Sequence, residues 1–264
     1  MSLSADGRRV ATFPTRGGSG ILIVDLERGT VSRVSQRGTF PVWTPDDARV
    51  AWAQAGQVFW TAADGSGASE LLVSERSAIV ESTSPDGRTL AYTVFDSADV
   101  NSRRAVKLFQ LSDKPSAASI VLLSGASDHS ESGARISPDG KWIAYVSDES
   151  GKNQVYLRSY PGRGGKVPIS IDGGEEPHWS RNPQELFFRN ASTNQLMTAE
   201  IPKTAASEPG RPHALLALTT SLWDVAPDGK RFLVVKDPEP DTDPSTVQVV
   251  MNWFEELKRR VPAK

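Results

Sequence analysis

Ala134-Arg135-Ile136-Ser137-Pro138-Asp139-Gly140-Lys141-Trp142-Ile143-Ala144-Tyr145-Val146 is the stretch that decides the fold. It holds two short apolar strands on either side of a four-residue turn. Pro138 presets φ at the first turn position, Asp139 bonds its own backbone, and Gly140 accepts the left-handed conformation that reverses the chain. Beyond Val146 a polar hairpin, Ser147 to Asn153, leads to a third strand, Gln154-Val155-Tyr156-Leu157-Arg158. The stretch Gly162 to Gly165 then turns into an outer strand near Lys166-Val167-Pro168-Ile169. Four successive antiparallel strands make one blade.

The same turn recurs on both sides. Its other copies are Ser4-Ala5-Asp6-Gly7, Thr44-Pro45-Asp46-Asp47, Ser84-Pro85-Asp86-Gly87, Ser180-Arg181-Asn182-Pro183 and Ala226-Pro227-Asp228-Gly229. The third turn residues stand at 6, 46, 86, 139, 182 and 228, so the spacings are 40, 40, 53, 43 and 46. A strand-built period in the forties predicts a propeller. The expectation is an all-β, six-bladed β-propeller filling the chain as a single domain. Its blades fall near residues 1–35, 36–74, 75–126, 127–172, 173–218 and 219–253. The long third period comes from a polar insertion, Asp96 to Arg104, in the hairpin between second and third strands.

Two turns depart from the pattern. Asp47 replaces Gly at the left-handed position, which Asp tolerates, and Pro183 cannot take positive φ at all. Both read as local drift. The sixth repeat reaches a third strand at Val247-Gln248-Val249-Val250-Met251, after which residues 252–260 read as a short helix. Asn252 and Glu255 form a capping box there, basic residues sit at the C-terminal end, and Pro262 stops it. The sixth blade should therefore lack an outer strand, with the helix near its open edge.

The turn followed by an apolar strand ending in Tyr resembles the repeat of TolB-like six-bladed propellers, over nearly the whole chain. Ser147-Asp148-Glu149-Ser150-Gly151, Tyr156-Leu157-Arg158-Ser159-Tyr160-Pro161-Gly162, Gly173-Gly174-Glu175-Glu176-Pro177-His178-Trp179-Ser180 and Asn252-Trp253-Phe254-Glu255-Glu256-Leu257 narrow the likeness. They resemble the C-terminal propeller attached to bacterial serine/threonine kinases of the eukaryotic type. No kinase motif is present: there is no Gly-rich phosphate loop with its Lys, no His-Arg-Asp and no Asp-Phe-Gly. The resemblance implies a sensing or scaffolding propeller related to a larger, membrane-linked protein. His178 departs from it, since a small apolar residue is expected there.

Composition removes several function classes. The 264 residues carry 30 basic and 32 acidic side chains, a net charge of -2, so no basic face for nucleic acid is expected. No apolar run approaches the roughly 20 residues of a membrane span. Met1-Ser2-Leu3 lacks the charged and apolar regions of a signal peptide, and a soluble monomer is expected. Zero cysteines exclude disulfides, thiolate metal sites and a Cys nucleophile. Trp43 and Trp179 share one repeat position beside the turn, a pattern of packing between blades.

The candidate chemistry sits just before the turns. Two residues ahead of each turn the repeats carry Ser2, Val42, Ser82, Arg135, His178 and Asp224. Equivalent positions on innermost strands converge on a propeller axis, so Glu81, His129, Glu131, Arg135, Glu176, His178 and Asp224 are expected around one channel mouth. The bland reading is a water-filled funnel with polar walls. A binding or sensing module would instead recognise a protein, peptide or small ligand there. The alternative is a metal-dependent hydrolase of a phosphotriester, lactone or ester, with Glu131, Glu176, His178 and Asp224 as ligands. All-oxygen ligation suits Ca²⁺, and a His with carboxylates suits Zn²⁺ or Mn²⁺. Neither His178 nor His129 adjoins a Ser in a strand-to-helix elbow, and His213 lies in a Pro-flanked segment, so a Ser-His-Asp triad has little support.

Overall fold

The computed structural model describes residues 1–14, 19–97, 102–111, 120–122, 129–161, 164–204, 207–218, 220 and 222–235. The first sheet contains β1 (Ser2–Leu3), β2 (Arg9–Thr12), β3 (Ile21–Asp25) and β4 (Thr30–Ser35) in that spatial order. The second contains β5 (Thr39–Trp43), β6 (Arg49–Gln54), β7 (Gln57–Ala62) and β8 (Glu70–Ser74). The third contains β9 (Ala78–Thr83), β10 (Thr89–Phe95), β11 (Arg104–Gln110) and β12 (Ile120–Leu122). β13 (Glu131–Ile136), β14 (Trp142–Ser147), β15 (Gln154–Ser159) and β16 (Lys166–Pro168) form the fourth. β17 (Glu175–Trp179), β18 (Glu185–Asn190), β19 (Gln195–Glu200) and β20 (His213–Ala217) form the fifth. Each is an antiparallel meander of four strands.

A last sheet pairs only β21 (Trp223–Val225) with β22 (Phe232–Val234). The described residues thus show five complete blades where six were expected, followed by a two-stranded sheet. The expected strand at Val247 to Met251 and the helix at 252–260 lie outside the described residues. No helix occurs among the described residues, and none is long and apolar enough to cross a membrane. His213, expected in a loop, opens the outer strand β20.

The recurring turn is built alike in the first four blades. The first residue's hydroxyl donates to the Asp two places on, at 2.6 Å from Ser4, Thr44 and Ser137 and 2.5 Å from Ser84. The same oxygen accepts the N–H that starts the next strand, at Arg9, Arg49, Thr89 and Trp142. The Ser or Thr hydroxyl is the foremost reason that Asp6, Asp46 and Asp86 are held below the ordinary carboxyl pKa. The fourth residue closes the turn with φ of 67° at Gly140 and 56° at Asp47. The Pro183 turn takes a different shape, as expected. There Asn182 accepts from the Gln184 N–H, and its carbonyl accepts from Glu185.

Asp47 is more than drift. Its carboxylate accepts the N–H groups of Ala5 at 2.7 Å and Asp6 at 3.1 Å, tying the second turn to the first. A glycine there could not supply those acceptors.

The core lies between blades. One apolar cluster joins the first and second sheets around Ile21, Trp43 and Trp52, and another joins the second and third around Val58, Leu90 and Tyr92. Further clusters form at Ile143 and Tyr145, at Leu157 and Phe188, and at Phe187, Trp223 and Phe232, each between neighbouring sheets. Burial of apolar area on both faces of each sheet is what stacks the sheets around an axis. The shared Trp position packs as expected. Trp43 Nε1 donates to Ser2 O at 2.9 Å and Trp179 Nε1 to Arg135 O at 3.0 Å, each reaching the inner strand of a neighbouring sheet.

The two-stranded sheet completes the ring. The Leu3 N–H donates to Asp224 Oδ2 at 2.7 Å, and the Arg181 guanidinium donates to the Ala5 carbonyl. Gly7 has φ of 71°, and a Cβ there would stand 2.9 Å from Pro227 Cδ, so this seam needs glycine.

Candidate functional site

A β-bulge shapes the inner strands. In the second, fourth and fifth sheets three inner-strand steps oppose two on the neighbouring strand, between Thr39 and Val42, Ser132 and Arg135, and Glu175 and His178. The residue after the first of each pair has positive φ: 51° at Phe40, 65° at Gly133 and 53° at Glu176. One extra residue in the left-handed region bends the strand and re-aims the side chains beyond it. The third sheet carries its own register shift, which skips Glu81.

After the bulge the residues two before each turn come together. Ser2, Val42, Ser82, Arg135, His178 and Asp224 all line one axial channel of about 620 Å³, and Glu81 lines it too. The channel continues to the turns themselves, with Pro45, Pro85, Pro138 and Pro227 at that end. Its wall is therefore built from the inner strands and the turns that follow them.

That geometry divides the expected residues. Glu81, Arg135, His178 and Asp224 are in the channel wall. Glu131, Glu176 and His129 are not among its lining residues: Glu176 sits in the bulge with its carboxylate committed elsewhere, and the other two come earlier in the chain. Glu176 turns instead to Arg189, whose Nε and Nη2 donate to it at 3.2 and 3.1 Å, and to Trp223 Nε1 at 2.8 Å. Arg189 also holds Glu175 at 3.0 Å. Glu131 is buried, and its charge is one reason the Tyr145 hydroxyl is raised, after burial itself. His129 is exposed. The expected metal set of Glu131, Glu176, His178 and Asp224 thus does not converge. Among the described residues no group of three His, Asp or Glu side chains is placed to hold a metal ion.

His178 and Asp224 form the centre of the wall. His178 Nδ1 lies 2.9 Å from Asp224 Oδ1, and the ring packs on Trp223 with centroids 4.4 Å apart. Asp224 also accepts N–H bonds from Leu3 and, at 2.8 Å, from Val225. Burial lowers the His178 pKa and outweighs the pull of Asp224, while the Arg135 charge acts in the same direction as burial. Burial would raise Asp224, but hydrogen bonds from His178, Leu3 and Val225 outweigh it and hold the carboxyl low. Near neutral pH the pair is a neutral imidazole donating Nδ1–H to a carboxylate. Among the described residues no hydroxyl hydrogen-bonds to His178, so no nucleophile–base pair is formed.

Glu81 is also committed, accepting Thr93 Oγ1 at 2.6 Å and the Gly133 N–H at 3.1 Å. Ser82 donates to Ala134 O and accepts from Ile136 N. Arg135 differs. Among the described residues no hydrogen bond or ion pair engages its guanidinium.

Arg189 and Trp223 escaped the sequence reading as functional neighbours. Glu175 and Arg189 are cross-strand partners, a charge pair that becomes visible only once the register is known.

No protein-family model matches the sequence, and no curated protein does. Solved structures do resemble it. TolB from Acinetobacter baumannii superposes with a TM-score of 0.67 at 19% identity, over 88% of this chain and 58% of that one. The fold is a β-propeller. The chain spans less than two thirds of that TolB. An oligogalacturonate lyase in complex with manganese matches with a TM-score of 0.58 at 11% identity, over 89% of this chain and 84% of that one. Periplasmic gluconolactonase PpgL from Pseudomonas aeruginosa matches at 0.56 and 15%, over 92% and 80%. Likenesses this distant concern the fold alone.

Proposed function

We infer that the chain is a non-catalytic binding module whose ligand, a peptide, protein segment or small molecule, occupies the axial channel from its turn side. The observation that carries this reading is the wall itself. Its buried His178–Asp224 pair and Glu81 are tied into the frame that holds neighbouring sheets together, and with Arg135 they surround a cavity of a size suited to a ligand. A fixed, pre-formed wall costs little to organise on binding. The two-stranded β21–β22 sheet is read as the inner half of a sixth blade that completes the enclosure. In keeping with the resemblance to kinase-linked propellers, such a module would report ligand occupancy to a larger protein.

The hydrolase alternative needs a metal set that the described residues do not assemble, and the lyase and lactonase likenesses are of fold only. Val42→Trp, which narrows the channel and obstructs it with a bulky ring, tests the binding reading. Small-molecule fragments and short peptides should shift NMR signals of channel residues in the wild type and not in this variant. Shifts confined to the outer strands, or undiminished by Val42→Trp, would overturn it.

A further inference from the structure

We propose that the channel ligand carries a carboxylate, taken by Arg135. The proposal rests on the channel-binding reading and gives it a ligand chemistry. Each of the other ionisable side chains in the wall already has a partner. Asp224 accepts three hydrogen bonds on its two oxygens, and Glu81 accepts two on Oε1, so both carboxylates are already held in the frame. Arg181, at the turn end, already donates to Ala5 O. Among the described side chains of the wall, Arg135 brings a charge that no hydrogen bond or ion pair engages, and a guanidinium presents a planar fork that matches a carboxylate with two parallel bonds.

The surroundings choose between anions. Asp224 and Glu81 share the wall, so a dianion such as phosphate would meet repulsion that a single carboxylate meets less. Val42, Ile79, Phe40 and Pro45 give the rest of the wall an apolar character. That stretch suits the hydrocarbon part of an organic acid and offers nothing to a small inorganic ion. The acid is either a small molecule or the C-terminal end of a peptide, and both present the same group to Arg135.

The test compares acids with neutral isosteres. Benzoate and phenylacetate are titrated against benzamide and benzyl alcohol by NMR, with Arg135→Gln, Arg135→Lys and Val42→Trp alongside. A tripeptide ending in Phe is added with its C-terminus free or amidated. The acids should bind at least tenfold more tightly than their neutral counterparts, and Arg135→Gln should remove that preference while Arg135→Lys keeps part of it. Binding of the small acids assigns a small-molecule source, and binding of the free but not the amidated peptide alone assigns a chain end. If acids and isosteres bind equally and Val42→Trp abolishes both, the carboxylate proposal falls while the channel reading stands. If nothing shifts channel residues in the wild type, both fall. The comparison within the wild type keeps the proposal falsifiable should a variant fold poorly.

Discussion

Removing the Asp224 carboxylate should loosen the seam between the last sheet and its two neighbours. Asp224 sits on β21, accepts from His178 on β17 and from the backbone of Leu3 on β1, and so fastens three sheets at one point. Asp224→Ala deletes three hydrogen bonds to an ionised acceptor, each worth roughly 1.5–3 kcal/mol. The bonds are not independent, and His178 can shift its proton to the other nitrogen, so the sum overstates the loss. What remains costly is a Leu3 N–H and a buried ring left without a partner. We expect a net loss of about 3 kcal/mol. In urea, with a slope of about 3 kcal/mol per molar, the midpoint should fall by about 1 M. Asp224→Asn retains an acceptor oxygen and should lose about half as much. Hydrogen exchange at the Leu3 amide should accelerate in both variants. A loss below about 0.5 kcal/mol at unchanged slope, with Leu3 still protected, would refute the seam argument.

His178 should make stability depend on pH. Its folded pKa is below the ordinary value, so the native state binds fewer protons than the unfolded chain. The stabilisation is complete above the unfolded value of about 6.5 and is lost as pH falls below it, through the folded pKa. Denaturation midpoints of His178→Gln should be flatter across that range, and an unchanged profile would count against the assignment. Asp47→Gly should destabilise by about 1 kcal/mol in urea titration, although it restores the repeat consensus, because the acceptors for Ala5 and Asp6 outweigh the relief of left-handed strain. A more stable variant would contradict the bridging role. Trp179→Phe should cost about 1 kcal/mol by losing the bond to Arg135 O, and thermal unfolding would show it as a lower Tm.

Much of the site could be reached from repeat arithmetic. Counting two residues back from each turn gathers Ser2, Val42, Ser82, Arg135, His178 and Asp224, and these do share the channel. Counting further back fails at the bulge. Glu176 sits at the bulge with φ of 53°, where no glycine signals a change of direction, and its carboxylate leaves the axis for Arg189 and Trp223. Glu131 and His129, earlier still in their repeat, also lie outside the channel wall.

Local sequence was enough to read the strands, the turns and their stacking around an axis. Pro, Asp and Gly act on their own few residues, and alternating apolar side chains need only a neighbouring sheet to cover them. Tertiary structure alone decided which ionisable groups remain free. Arg135 and Arg189 are both arginines on strands, yet Arg189 meets Glu175 and Glu176 while Arg135 meets no described carboxylate. Whether a charge has a partner depends on which strand lies opposite and where the bulge shifts the register. Those are distances through space, and spacing along the chain does not encode them.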